Sequence, residues 1–235
     1  MSNESFVFEK NASTASAEEK ERSEAAMREL HRANYINCLR AEAFGDIPAD
    51  MWRFDKASVV TVPLAKAKDY ADKWDEYSRE NIGLLMFGPP GTGKSYAAGC
   101  IANALIERMI SVLFVDVQDI VNRMPQNEGI DYDAYVKRYI RPDLLILDDL
   151  GAERSTSYAR ERVCDVVNRR LLSGKPLIIT TNIPPSAMGD TTDQKEMRNY
   201  QRILAACVPV LFNGENFRQR NAAEKLKRAV EIFNS

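Results

Sequence analysis

GPPGTGKS, residues Gly88 to Ser95, lies between two runs of opposite character. Before it comes NIGLLMF, an apolar run ending at Phe87. After it comes YAAGCIANALIERM, rich in helix formers. The stretch satisfies G-x-x-x-x-G-K-[ST], the phosphate-binding loop. Its glycines, Gly88, Gly91 and Gly93, permit backbone angles that a Cβ would forbid. Successive N–H groups can then turn inward and cradle phosphate oxygens. A helix starting just after the loop aims its positive end at the same anion. Lys94 is placed to reach the β- and γ-phosphates, and the Ser95 hydroxyl to bind Mg²⁺. The nucleotide-binding stretch therefore runs through Gly88, Pro89, Pro90, Gly91, Thr92, Gly93, Lys94, Ser95 and Tyr96.

Similar apolar runs recur at Val112–Val115, Leu144–Leu147, Leu177–Thr181 and Val208–Phe212. Helix-period segments separate them. Ala97, Ile101, Ala104 and Leu105 share one helical face, as do Tyr132, Tyr135, Val136 and Tyr139, and again Ala159, Val163, Val166 and Val167. Strands apolar throughout, alternating with helices, imply an α/β fold with a five-stranded parallel sheet covered on both faces.

Three further motifs follow the loop. LLILDDLGAE, residues 144–153, ends a strand in Asp148 and Asp149. Carboxylates at the C-terminal end of a parallel strand face the ligand crevice. Asp148 suits Mg²⁺, and Asp149 is the candidate general base for an attacking water. In LIITTN, Asn182 stands just past a strand and can touch both water and γ-phosphate. In FNGENFRQR, Arg218 can lean over the phosphates, with Arg220 the competing choice. The single histidine, His31, lies on the N-terminal helix, far from these motifs in sequence.

The rest of the chain reads more plainly. It has 235 residues, 45% apolar, with a net charge of −2. That balance argues against a broad nucleic-acid-coating surface. Local basic groups remain at Lys137, Arg138 and Arg141 and at Lys225, Lys227 and Arg228. The cysteines Cys38, Cys100, Cys164 and Cys207 form no CxxC pair and suggest neither a zinc site nor a disulfide framework. No signal peptide or membrane-span-length apolar run is present, so the expected setting is the cytoplasm. Residues 1 to about 15 are polar and read as disordered. Ala17 to Ala43 favours a long helix. Gly45 and Pro48 are then expected to detach it, and a further helix covers Leu64 to Arg79. The expected division is a partner-binding extension (1–46), a linker and helix (47–80) and the nucleotide-binding domain (81–235). Met27, Leu30 and Leu39 are the expected docking anchors.

The phosphate loop, the LLILDDLGAE run, LIITTN and the RILAA…FNGENFR tail together resemble the DnaC/DnaI-type helicase loaders. The IstB-type transposition ATPases share the pattern, and both belong to the AAA+ class of P-loop ATPases. The similarity spans roughly Ile47 to Arg220. It implies ATP and Mg²⁺ as ligands, a sheet with the phosphate-loop strand central, ATP-dependent assembly into a homo-oligomer, a replicative ring helicase as partner and contact with single-stranded DNA. The helical lid usual in the class is reduced to about one helix, Ala222 to Phe233. The position matching an arginine offered to the neighbouring subunit holds Ala206, which leaves Arg202, Arg198 and Arg170 as substitutes.

Overall fold

A computed structural model describes residues 4–123, 132–151, 157–190 and 193–234, with side chains from Glu19 onward except that of Ser157. The order is α1 (Glu4–Phe44), a 3-10 turn (Phe54–Lys56), α2 (Val62–Asp72), α3 (Trp74–Arg79), β1 (Gly83–Phe87), α4 (Lys94–Ile106), β2 (Val112–Asp116), α5 (Val117–Asn122), α6 (Tyr132–Ile140), β3 (Leu144–Leu150), α7 (Ser157–Leu172), β4 (Leu177–Thr181), α8 (Gln194–Ala206), β5 (Cys207–Leu211) and α9 (Phe217–Phe233). The five strands form one parallel sheet in the order β2-β3-β4-β1-β5. Every strand expected from the apolar runs is present. β1 is paired on both sides, but the middle place belongs to β4.

Alternation along each strand divides the core into two layers. Leu84, Met86, Phe114, Ile146 and Ile178 face α2, α4 and the end of α1. Leu85, Leu113, Leu145, Leu147 and Ile179 face the opposite way, toward Tyr139, Val163, Val166, Val167 and Ile203. Each fully buried aliphatic side chain contributes roughly 1.5–3 kcal/mol. This explains why apolar runs without polar alternation are needed at all.

The N-terminal third departs from the sequence expectation in three ways. The helix begins at Glu4 rather than near Ala17, so the polar start is helical where it is described. Its far end is not detached. Ile36, Leu39, Ala43 and Phe44 are buried against the sheet, so Leu39 is a core residue and no docking anchor. Gly45 does end the helix: at φ +55° its N–H bonds to the Ala41 carbonyl, a left-handed stop that glycine tolerates. The chain then folds straight back. Trp52 packs on Phe44 and Phe114, at ring distances of 6.2 and 5.4 Å, and Ala49 is buried. The segment read as a linker is thus a strap over the first core layer. The helix expected over Leu64–Arg79 is broken at Lys73 into α2 and α3. Met27 and Leu30, by contrast, remain exposed on α1.

Candidate nucleotide-binding site

β1 delivers the chain to the phosphate loop and α4 carries it away, so the loop sits at the C-terminal edge of the sheet. Close approach fixes two of its glycines. A Cβ on Gly88 would lie 2.1 Å from the Phe212 carbonyl oxygen, and one on Gly91 would lie 2.2 Å from the Asn216 side chain. Both glycines also hold positive φ angles. The turn between β5 and α9 is thereby packed directly on the loop, and the Phe217 N–H bonds to the Gly91 carbonyl at 2.9 Å. Thr92 closes the loop from within by donating its hydroxyl to the Pro89 carbonyl.

Lys94 is buried. Its ammonium donates to the Gly88 and Pro89 carbonyls and to Asn182 Oδ1, all within 2.9 Å. Burial lowers its pKa, while Asp149 and Asp148 oppose that shift. Asn182 in turn offers Nδ2 to Asp149 Oδ1 at 3.3 Å. Asn182 therefore bridges the loop lysine and the candidate base. The Ser95 hydroxyl lies beside Asp148, whose pKa is raised by burial and held back by Thr180 and Ser95. Tyr96 faces the cleft wall and donates to the Arg53 carbonyl, fastening the strap to α4.

Adjacent residues of a strand point to opposite faces, yet Asp148 and Asp149 both line the cleft. A register shift between Leu147 and Leu150 resolves this, with Asp149 at φ +63°. Such a bulge re-aims a side chain. A left-handed Asp costs of the order of 1–3 kcal/mol. Thr180 holds it in place: its Oγ1 accepts the Asp149 N–H at 2.9 Å and donates to Asp148 Oδ1 at 2.6 Å. Thr180 was not singled out from the sequence, and neither was Asp116, which also lines the cleft. The two threonines that close the otherwise apolar LIITT run were the signal for Thr180.

The cleft encloses about 610 Å³. Lys94, Ser95, Asp148, Asp149, Asn182 and Arg218 line one end, and Trp52, Ala57, Val59 and Thr61 of the strap line another part of its wall. These expected site residues are thus brought together, whereas Gly88 and Pro89 lie behind the cleft wall with their carbonyls turned to Lys94. The ambiguity between the two arginines is also reduced. Arg220 is engaged by Glu215, Ser58 and the Phe217 ring. Arg218 lines the cleft with no hydrogen bond or ion pair among the described residues, and its charge is felt by Lys94. Arg170 is removed from the candidates for a neighbour's site because it is completely buried. Arg198 and Arg202 are exposed on α8. Ala152 and Glu153 of the LLILDDLGAE run lie outside the described residues.

The donors beside the loop are a hydroxyl and a carboxylate, the hard oxygens that suit Mg²⁺, so Ser95 and Asp148 fit that ion.

The family of IstB-like ATP-binding proteins matches residues 21–225. The chain belongs to that family. Among IstB-like and related proteins, it is 30% identical over 161 residues to the replicative helicase loader DnaC of Escherichia coli K12, covering 67% of this chain and 63% of the relative. It is 26% identical over 178 residues to an insertion-sequence ATP-binding protein of Sinorhizobium fredii, covering 74% of this chain and 58% of the relative. The chain thus spans less than two thirds of these relatives. A solved DnaC helicase loader superimposes with a TM-score of 0.61 at 22% identity, covering 70% of this chain and 98% of that one. The superposition shows that this chain shares the solved loader's fold, a parallel sheet flanked by helices. Among the described residues, no helix is long and apolar enough to cross a membrane.

Proposed function

We propose that this chain is an ATP-switched loader that controls a ring helicase during replication initiation in the cytoplasm. The observation that carries the reading is the 30% identity to a replicative helicase loader over two thirds of the chain. The geometry supports an ATPase. Loop N–H groups and Lys94 bind the phosphates, and the nucleotide displaces Lys94 from its carbonyl partners. Ser95 and Asp148 would hold Mg²⁺, which would neutralise charge on the phosphates. Asp149 accepts the proton of the attacking water, and Asn182 holds Asp149 and the γ-phosphate in register. Arg218 reports the γ-phosphate to α9.

Hydrolysis is expected to be slow. Asp149 is one methylene shorter than a glutamate, and Ala206 offers no guanidinium to a neighbouring subunit. ATP-driven assembly into a homo-oligomer then brings several copies onto single-stranded DNA, with Lys137, Arg138 and Arg141 or Lys225, Lys227 and Arg228 as the contacts. Binding of this kind weakens steeply with salt.

A second reading, an ATPase helper of transposition, draws on the insertion-sequence relative. The low isoelectric point, near 5.7, weighs against it, because coating duplex DNA requires many phosphate contacts. Affinity capture of the full chain with ATP separates the two. Capture of a replicative ring helicase is expected. Capture of a transposase with no helicase would replace the first reading by the second.

A further inference from the structure

One acid in the cleft has no part in the chemistry above. Asp116 ends β2, and its register partner on the neighbouring strand is Asp148. Side chains of in-register parallel neighbours leave the sheet on the same face, so the two carboxylates emerge side by side at its C-terminal edge. Both line the cleft with Lys94, Ser95 and Asp149.

The Asp116 carboxylate is oriented. Its Oδ1 accepts the Gln118 N–H at 2.7 Å and so caps α5. Its second oxygen makes no hydrogen bond among the described residues. Burial raises the Asp116 pKa, and Asp119 and Asp149 push the same way. Asp148 is pushed up by burial too, with Asp149 and Asp116 adding to it. Asp116 and Asp148, paired in register, and Asp149 thus all line a cleft that must also receive polyphosphate. A divalent cation at the Ser95–Asp148 end relieves both the mutual repulsion of these acids and their repulsion of the ligand.

We propose that Asp116 is a metal-positioning residue, whose second carboxylate oxygen holds a water of the Mg²⁺ bound by Ser95 and Asp148. The proposal rests on the reading of the cleft as an ATP–Mg²⁺ site. Residues that orient a metal's outer ligands typically change metal affinity by roughly 10–100-fold when replaced.

The test uses the full-length chain with Asp116→Asn and Asp116→Ser. Both replacements can still cap α5, so the fold is retained while the charge is lost. Mn²⁺, a spin-active stand-in for Mg²⁺, is titrated into the protein with a non-hydrolysable ATP analogue and followed by electron paramagnetic resonance. Analogue binding is also measured in EDTA. Both variants should bind Mn²⁺ about tenfold more weakly or worse, with analogue affinity in EDTA unchanged. Unchanged Mn²⁺ affinity would overturn the proposal, even if turnover fell, because Asp116 would then act on water rather than on the metal. An equal loss of analogue binding in EDTA would overturn it as well. Wild-type protein that binds no analogue would overturn the ATP site itself and the proposal with it, which separates the two failures.

Discussion

The two terminal helices attach to the same sheet in opposite ways. α1 inserts Ile36, Leu39, Ala43 and Phe44 into a core layer, and a polar network reinforces the joint. Arg40 reaches Glu107 at 2.7 Å and Asn103, while Asn103 donates to the Ala49 and Trp52 carbonyls. None of the seventeen residues of α9 is buried. It is tethered at its start, where Asn216 and Phe217 meet the phosphate loop and Arg220 meets Ser58. Leu226, Val230 and Phe233 lie open along its length. One helix is part of the scaffold, and the other is an attachment anchored at its start beside the nucleotide site. Burial, not helix length, separates the two roles.

The largest effect expected is on α1. Deleting residues 1–44 removes four core side chains and should abolish cooperative thermal unfolding. A chain with residues 221–235 deleted should melt almost as wild type. Equal melting of both truncated proteins would erase the contrast.

Asp149→Asn comes next. An amide cannot take the proton of water, so turnover should fall by roughly 10²–10⁴-fold, while ATP binding persists. ATP should still alter trypsin cleavage at Lys225, Lys227 and Arg228 in this variant and leave cleavage at Arg22 and Arg28 of α1 unchanged. Cleavage in α9 indifferent to ATP would show that its tether transmits nothing.

Leu39→Ala should cost about 2–5 kcal/mol in denaturant unfolding, the usual range for a buried leucine. Lys94→Ala removes a charge-assisted phosphate contact worth about 1.5–3 kcal/mol. A fluorescent ATP analogue should bind that variant at least tenfold more weakly, and the ATP effect on α9 cleavage should vanish at limiting nucleotide. Undiminished binding would refute the phosphate-loop role. Leu226→Ala is the smallest change, within about 0.5 kcal/mol, because the side chain is 66% exposed. A large loss of stability there would mean that α9 is packed after all.

The sheet and the phosphate loop were legible because both are written in consecutive residues. Continuous apolar runs mark strands buried on two faces, and three glycines within six residues mark a turn around an anion. What the sequence did not disclose depends on neighbours across the sheet. Thr180 and Asp116 matter because β4 and β2 place them beside Asp148, a relation with no spacing along the chain. The bulge that turns Asp149 into the cleft leaves no signature in LLILDD. The strap was misread for a similar reason. Gly45 and Pro48 do stop a helix, but a stop says nothing of direction, and Trp52 and Ala49 return the chain to the core.

Arg170 shows how the edge of the sheet opposite the cleft is held together. Its guanidinium is completely buried and donates to five carbonyls, of Tyr139, Ile140, Pro142, Asp143 and Pro176. Burial pushes its pKa down to about 10, which leaves it charged at neutral pH. Those carbonyls end α6 and lead into β3 and β4, at the edge of the sheet opposite the cleft. The cation therefore acts as a rivet through three segments at the base. With that edge clamped, a displacement begun at the phosphate loop is expected to leave the starts of β3 and β4 in place.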